Sequence, residues 1–301
     1  MRRRLGLALS DDGTELFYVD HPSGAGACGP GGKPTLLLVH GWAEASRSWG
    51  PGFVAALTAS GHRVVALDLR GHGYSSVPDP VDAGAFGSDR WAADLAAVRS
   101  AAAIEGPVIL VGWSYGGLVI ADHLAERGTD GVAGVVLIGA ITSIGGGADG
   151  PFPGGVVGES MVAALPDALS AKPGKAATGL GRLRMMPADP AFGTVIQQQF
   201  GMALATPPHV RGGLFRRTVD HDGDLATWHF PVLIQHGTDD AVVSPSVAEH
   251  HAAVLPDATV SWWDGGGHAP FAEDPRRCAG ELAVFADGVG LAAIQVPADH
   301  D

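Results

Sequence analysis

Short apolar runs and amphipathic stretches alternate along most of the chain. Leu36 to Val39, Val64 to Leu67, Val108 to Val111 and Val132 to Ile138 contain no charged or strongly polar residue. Side chains on a strand alternate between its two faces, so a run without polar alternation predicts a strand covered on both. Helical periodicity fills the gaps, at about Trp49 to Ala59, at residues 90–104, and in a stretch ending near Glu126. Ahead of these, Leu5 to Leu9 and Glu15 to Val19 flank Asp11-Asp12-Gly13 and predict a hairpin. Residues 21–34 are rich in Gly and Pro and predict a loop. The alternation as a whole predicts an α/β fold, a mostly parallel central sheet with helices on both faces and right-handed crossovers.

The rhythm breaks near residue 141. Residues 142–225 hold Gly145-Gly146-Gly147, several prolines and short amphipathic pieces at 156–165 and 191–204, but no strong strand run. They predict an insertion of helices between strands. The alternation resumes with Val232 to Gln235, a helix after Ser244-Pro245, a last strand at Ala258 to Trp263 and a last helix from Asp274-Pro275. Both helices start with a capping residue followed by Pro at the first position. Cys278, Leu282 and Phe285 then share one face. The tail from about residue 295 is expected to fray.

The strongest chemical signal is Gly112-x-Ser114-x-Gly116, directly after an apolar strand and directly before a helix. A nucleophile in that setting sits on a very sharp turn, which needs small neighbours at minus two and plus two. The turn lifts Oγ from the sheet and aims the Tyr115 N–H at the reaction site. A serine hydroxyl needs a base. His268, in Gly265-Gly266-Gly267-His268-Ala269-Pro270 just past the last strand, is the candidate, and its ordinary pKa suits proton exchange at neutral pH. The base in turn needs an acid to fix its tautomer. The loop His236-Gly237-Thr238-Asp239-Asp240 offers two; Asp240 is favoured and Asp239 reads as a turn or capping carboxylate. A second oxyanion donor is expected from His40-Gly41-Trp42, as the Trp42 N–H, with His40 a structural residue beneath the loop. Trp113, Phe152, Met161, Phe200, Phe215 and Val242 are candidates to line an apolar substrate pocket, though helix packing accounts for such residues equally well.

Net charge is −13, which argues against nucleic-acid binding. The charge is uneven: residues 141–219 carry seven basic and four acidic side chains, against 12 and 28 elsewhere. The cysteines, Cys28 and Cys278, form no Cys-x-x-Cys, so neither a zinc knuckle nor a redox dithiol is suggested, and a reduced, cytoplasmic protein is the simplest account. The basic start Met1-Arg2-Arg3-Arg4 leads into an apolar run too short for a signal peptide, and no run reaches membrane-spanning length. No metal or cofactor is called for.

These motifs resemble the alpha/beta-hydrolase superfamily over most of residues 15–290. The resemblance rests on His40-Gly41-Trp42 with Trp49 downstream, Asp68-Leu69-Arg70-Gly71-His72-Gly73-Tyr74-Ser75, the turn at 112–117, His236 to Asp240, and Gly267-His268-Ala269-Pro270-Phe271. It implies an acid three residues after the loop glycine, hence Asp240. It also implies a helical cap at 142–225 on a core made of 1–141 and 226–301. Gly-Trp-Ser at the turn and His-Ala-Pro-Phe after the base look similar to pimeloyl-carrier methyl ester esterases. Those use a basic cap to meet an acidic carrier protein, and Arg182, Arg184, Arg211, Arg216 and Arg217 make this segment basic. An epoxide hydrolase or haloalkane dehalogenase would carry Asp in place of Ser114, and an epoxide hydrolase would carry tyrosines in the cap. The tyrosines are Tyr18, Tyr74 and Tyr115, all outside it. The expected activity is hydrolysis of a small carboxylic ester, lactone or thioester. A perhydrolase, carbon–carbon bond hydrolase or acyltransferase shares the same triad, and a non-catalytic ligand-binding protein on this fold is the rival from outside enzymes.

Overall fold

A computed structural model describes residues 2–23, 32–79, 84–147 and 150–295. Cys28, much of the loop at 21–34 and the tail beyond residue 295 lie outside the described residues.

The main sheet begins with β1 (Arg4–Leu9) and β2 (Glu15–His21), followed by β3 (Thr35–Val39), β4 (Val64–Leu67), β5 (Val108–Trp113) and β6 (Val132–Ile138). Two-residue strands β7 (Gly146–Gly147) and β8 (Gly150–Pro151) pair with each other, and β9 (Val232–Gly237) and β10 (Ala258–Trp263) complete the main sheet. Its spatial order is β1-β2-β4-β3-β5-β6-β9-β10. The hairpin pairs antiparallel internally and with β4, and every other neighbour is parallel. β5 runs beyond the apolar run to Trp113 because its pairing with β6 continues to Ile138.

Alternate residues of the central strands feed two separate cores. Leu36, Leu38, Val64, Ala66, Ile109 and Val111 face one, whereas Leu37, Val39, Val65, Leu67, Val108 and Leu110 face the other. Each such buried Val, Leu or Ile side chain contributes roughly 1.5–3 kcal/mol. The helices in the first half are α1 (Gly50–Ala59), α2 (Ser88–Ala101) and α3 (Tyr115–Arg127). Between β6 and β9 come α4 (Glu159–Ala168), α5 (Pro173–Leu180), α6 (Gly193–Ala205), α7 (Pro208–Phe215) and α8 (Asp222–Leu225), then α9 (Pro245–Val254), α10 (Pro270–Glu273) and α11 (Pro275–Gln295) after β9. Phe53 and Leu57 of α1 meet Cys278 and Leu282 of α11 in the first core, with Phe285 packed against it. Trp91 and Leu95 of α2, Leu118 of α3 and Val247 of α9 fill the second.

The Asp68–Ser75 motif braces the loop after β4. Asp68 accepts from the backbone N–H of Ser46 (2.7 Å) and Tyr74 (2.8 Å). Arg70 makes a two-pronged pair with Asp94, at 2.7 and 2.6 Å. A second buried network ties the helical segment to α3. Arg217 and His221 reach Asp122 Oδ1 at 2.8 and 3.0 Å, and Arg217 also donates to the Tyr115 hydroxyl at 3.1 Å. Arg211, fully buried, donates to the carbonyls of Ala168, Ala203, Thr206 and Ser170 and so knits that segment together.

Candidate active site

The chain turns from β5 into α3 at Ser114, whose φ of 55° and ψ of −122° lie outside the regions a side chain prefers. Such strain costs on the order of 1–3 kcal/mol and persists only where surroundings enforce it. Here the Ser114 N–H donates to Ile138 O (3.0 Å), and its carbonyl accepts from Gly117 (3.0 Å) and Ile141 (3.1 Å). The flanking glycines are required by space. A Cβ on Gly116 would collide with the Val39 carbonyl, and one on Gly112 would lie 2.7 Å from Gly117 N.

His268 follows β10 and is held on both sides by backbone. Its N–H donates to Met185 O (2.8 Å), and its carbonyl accepts from the Trp113 indole (2.9 Å). Its ring Nδ1 lies 2.8 Å from Asp240 Oδ2. Asp240 Oδ1 accepts from the N–H groups of Val242 (2.8 Å) and Val243 (3.0 Å), which fixes the carboxylate. Asp240 is buried and Asp239 is exposed, so Asp240 is the aspartate that meets the imidazole.

The loop after β3 passes directly against the serine. A Cβ on Gly41 would sit 2.9 Å from Ser114 Cβ and 3.4 Å from its Oγ. Trp42 follows, with its indole donating to Arg211 O (3.0 Å) and its ring edge-on to Phe215. Beneath the loop, His40 Nε2 accepts from Leu69 N–H (3.0 Å), so Nδ1 carries the proton and donates to Gly41 O (2.8 Å). Burial pushes its pKa down to about 4 and keeps it neutral. Opposite, the Tyr115 N–H opens α3, where unpaired N–H groups and the helix dipole favour negative charge.

Two hollows adjoin these groups. The inner one holds Ser114 and His268 with Trp42, Trp113, Met161 and Val242, and its cavity volume is only about 20 Å³. The outer one, about 150 Å³, lies among α5, α6 and the residues between them. They share Glu44, Leu183, Met185 and Ala203. Among the described residues no group of three or more His, Cys, Asp or Glu is placed to hold a metal.

A serine at positive φ, an imidazole and the buried carboxylate behind it are thus brought together from the ends of three parallel strands. Residues 36–281 match the alpha/beta hydrolase family. The chain belongs to that family. The esterase RhEst1 from a Rhodococcus species has a solved structure that superposes with a TM-score of 0.85 at 43% identity, over 95% of this chain and 99% of that one. A non-heme chloroperoxidase from Streptomyces lividans is 29% identical over 93% of this chain and 99% of its own. A pimeloyl-acyl-carrier protein methyl ester esterase from Aromatoleum aromaticum is 29% identical over 82% of this chain and 96% of its own.

In this alpha/beta hydrolase, Trp113, Met161 and Val242 line the inner hollow and Phe200 lines the outer one. Phe152 and Phe215 line neither. Phe152 is half-buried at the start of a short 3-10 turn, and the Phe215 ring is taken up by Trp42. Trp113 is fully buried against Trp49 and Phe271, so it forms the floor more than the walls. Sequence patterning missed Glu44, Leu183, Met185, Gln199 and Ala203. Leu183 and Met185 sit in irregular chain with no period to read, while Gln199 ends the polar triplet Gln197-Gln198-Gln199 that breaks the apolar face of α6.

Proposed function

We propose that this alpha/beta hydrolase cleaves a small carboxylic ester through an acyl-enzyme on Ser114. The observation that carries the reading is the Asp240–His268 contact of 2.8 Å beside a serine held at positive φ in the same cleft. Ser114 Oγ attacks the carbonyl carbon while His268 Nε2 takes its proton. Asp240 holds the imidazole in the required tautomer and stabilises its charged form. The N–H groups of Trp42 and Tyr115 receive the oxyanion, each contributing about 3 kcal/mol to lowering the barrier. The carbonyl–alkoxide bond then breaks, and the alcohol leaves with the proton from His268. Water, deprotonated by the same imidazole, attacks the acyl-enzyme and releases the acid and Ser114. No step calls for a cofactor.

Residues 142–225 act as a cap on a core formed by 1–141 and 226–301, since α4 to α6 supply the walls over Ser114. The charge state of the cap favours a free ester over a carrier-bound one. Arg182 and Arg184 are paired with Asp167 and Glu159, while Arg211 and Arg217 are consumed inside. That leaves Arg216 as the one exposed arginine of the five without a described acid partner. No helix among the described residues is long and apolar enough to cross a membrane.

The chloroperoxidase relative supports a second reading on the same intermediate. Hydrogen peroxide in place of water at the second step would release a peroxy acid. A fluorophosphonate probe tests the shared step: it labels the wild type and fails to label Ser114→Ala, which also loses ester turnover. A wild type that stays unlabelled, or a variant that keeps its turnover, overturns the serine mechanism.

A further inference from the structure

Two buried polar side chains at the hollows have no part in the chemistry above. Glu44 follows the Trp42 loop, is 4% exposed, and lines both hollows. The Ser48 hydroxyl donates to its Oε2 at 2.6 Å, and among the described residues no hydrogen bond reaches Oε1. Burial pushes its pKa up to about 8, so near neutrality the carboxyl keeps its proton and is able to donate. Gln199 on α6 is 2% exposed and lines the outer hollow, and both its Nε2 and its Oε1 are buried without a partner among the described residues.

A buried amide with neither end satisfied is costly, and native proteins keep few of them. The surrounding wall makes this one harder to dismiss as an accident of packing. Leu180, Leu183, Met185, Ile196 and Phe200 are apolar and offer it nothing, and the further polar side chain of that wall, Gln197, is exposed. Glu44, Leu183, Met185 and Ala203 line both hollows, which places Glu44 between Ser114 and Gln199. An apolar pocket with a few converging polar groups is the usual form of a small-molecule site, where those groups fix orientation.

We propose that Glu44 and Gln199 form a polar subsite that recognises one arm of the ester by an uncharged group able to give and accept hydrogen bonds, a hydroxyl or a carboxamide set several carbons from the reacting carbonyl. The proposal rests on the esterase reading and adds the substrate class to it. The amide of Gln199 offers one donor and one acceptor side by side, as a protonated Glu44 does, and a hydroxyl or carboxamide is complementary to both. An alkyl chain in the same place would leave Gln199 as it is now, unpaired, and lose the discrimination that a satisfied buried pair provides.

The test is a set of matched esters. On the acyl arm, p-nitrophenyl alkanoates of rising length are compared with analogues ending in hydroxyl, carboxamide or ammonium. On the alcohol arm, alkyl acetates are compared with hydroxyalkyl and carbamoylalkyl acetates. In the wild type, kcat/KM for the hydroxyl- or carboxamide-tipped ester exceeds that of its alkyl match about tenfold or more in one arm, the size of one net hydrogen bond. Gln199→Leu and Glu44→Leu each pull that ratio toward one, mainly through KM, whereas Glu44→Gln, which keeps a donor and an acceptor in place, leaves it near the wild-type value. Gln199→Leu also raises the melting temperature of the free protein, because an orphaned amide gives way to an apolar side chain of similar volume; a purely structural Gln199 would lower it. No preference in either arm, an unchanged ratio in both Gln199→Leu and Glu44→Leu, or a preference for the ammonium ester overturns the subsite while plain esters are still turned over. If no ester is turned over and Ser114 does not label, the esterase reading falls and the subsite falls with it.

Discussion

The two ends of the substrate cleft are built on opposite terms. At the Ser114 end the peptide groups and the carboxylate are tied down by hydrogen bonds. Asp240 accepts from two backbone N–H groups, His268 is bonded through both its N–H and its carbonyl, and Ser114 is fixed from both sides of its peptide. At the outer end, among the described residues, Gln199 has no partner for either amide atom and Glu44 has one neutral donor. Groups that stabilise a transition state gain from being fixed beforehand. Groups that select a substrate gain from being left unsatisfied until it arrives, because the wrong ligand then leaves them unpaired.

Beyond the loss of turnover in Ser114→Ala, the largest effect expected from disturbing the fixed end is at Asp240. Asp240→Asn lowers kcat by about ten-thousand-fold, because the amide no longer enforces the imidazole tautomer. Steady-state kinetics on the ester turned over best by the wild type measure this, and a loss under tenfold would show that another group orients His268. A second disturbance reaches the segment that supplies the outer walls. Asp122→Asn removes the carboxylate that Arg217 and His221 share and costs about 3 kcal/mol in urea unfolding. Burial pushes the His221 pKa down, but Asp122 and Asp224 outweigh it and the net shift is upward. The stability His221 contributes is therefore complete below pH 6.5 and is lost as the pH rises through its raised value. The variant flattens that loss.

A smaller effect distinguishes the waiting end. Glu44 is raised from 4.5 to about 8, so the folded chain holds a proton that the unfolded chain releases. Stability must then fall as the pH rises from about 4.5 to about 8, with Arg47 the nearby charge that moderates the shift. Glu44→Gln removes this slope in melting temperature. An identical slope in wild type and variant would mean that Glu44 is ionised in the folded protein. The smallest expected change is at Asp239→Asn. Exposed and remote from the imidazole, it alters kcat less than about twofold, as surface substitutions usually do.

The same contrast explains what the sequence made legible. The strands at 36–39, 64–67, 108–113 and 132–138 announce themselves because burial on both faces strips them of polar residues. The serine turn, the His268 loop and Asp240 are legible because backbone geometry there demands particular residues at fixed spacing. The helical segment is less so. α5 and α7 each carry glycines that read as loop signals, Gly174 and Gly179 in one and Gly212 and Gly213 in the other. At two of them the missing Cβ serves close packing instead. A Cβ on Gly179 would collide with the backbone of Ala168, and one on Gly213 would come 2.5 Å from Phe86. Phe152 and Phe215 were reasonable apolar candidates, but hydrophobicity alone does not tell a wall from a buttress.

Two hydrogen bonds cross from the helical segment to the loops beside Ser114. Trp42 leans on the carbonyl of Arg211, and His268 hangs from the carbonyl of Met185. A shift of Arg211 or Met185 that breaks these bonds also frees the loop that carries Trp42 or the loop that carries His268. The two loops beside Ser114 are thus only as well placed as the segment they lean on.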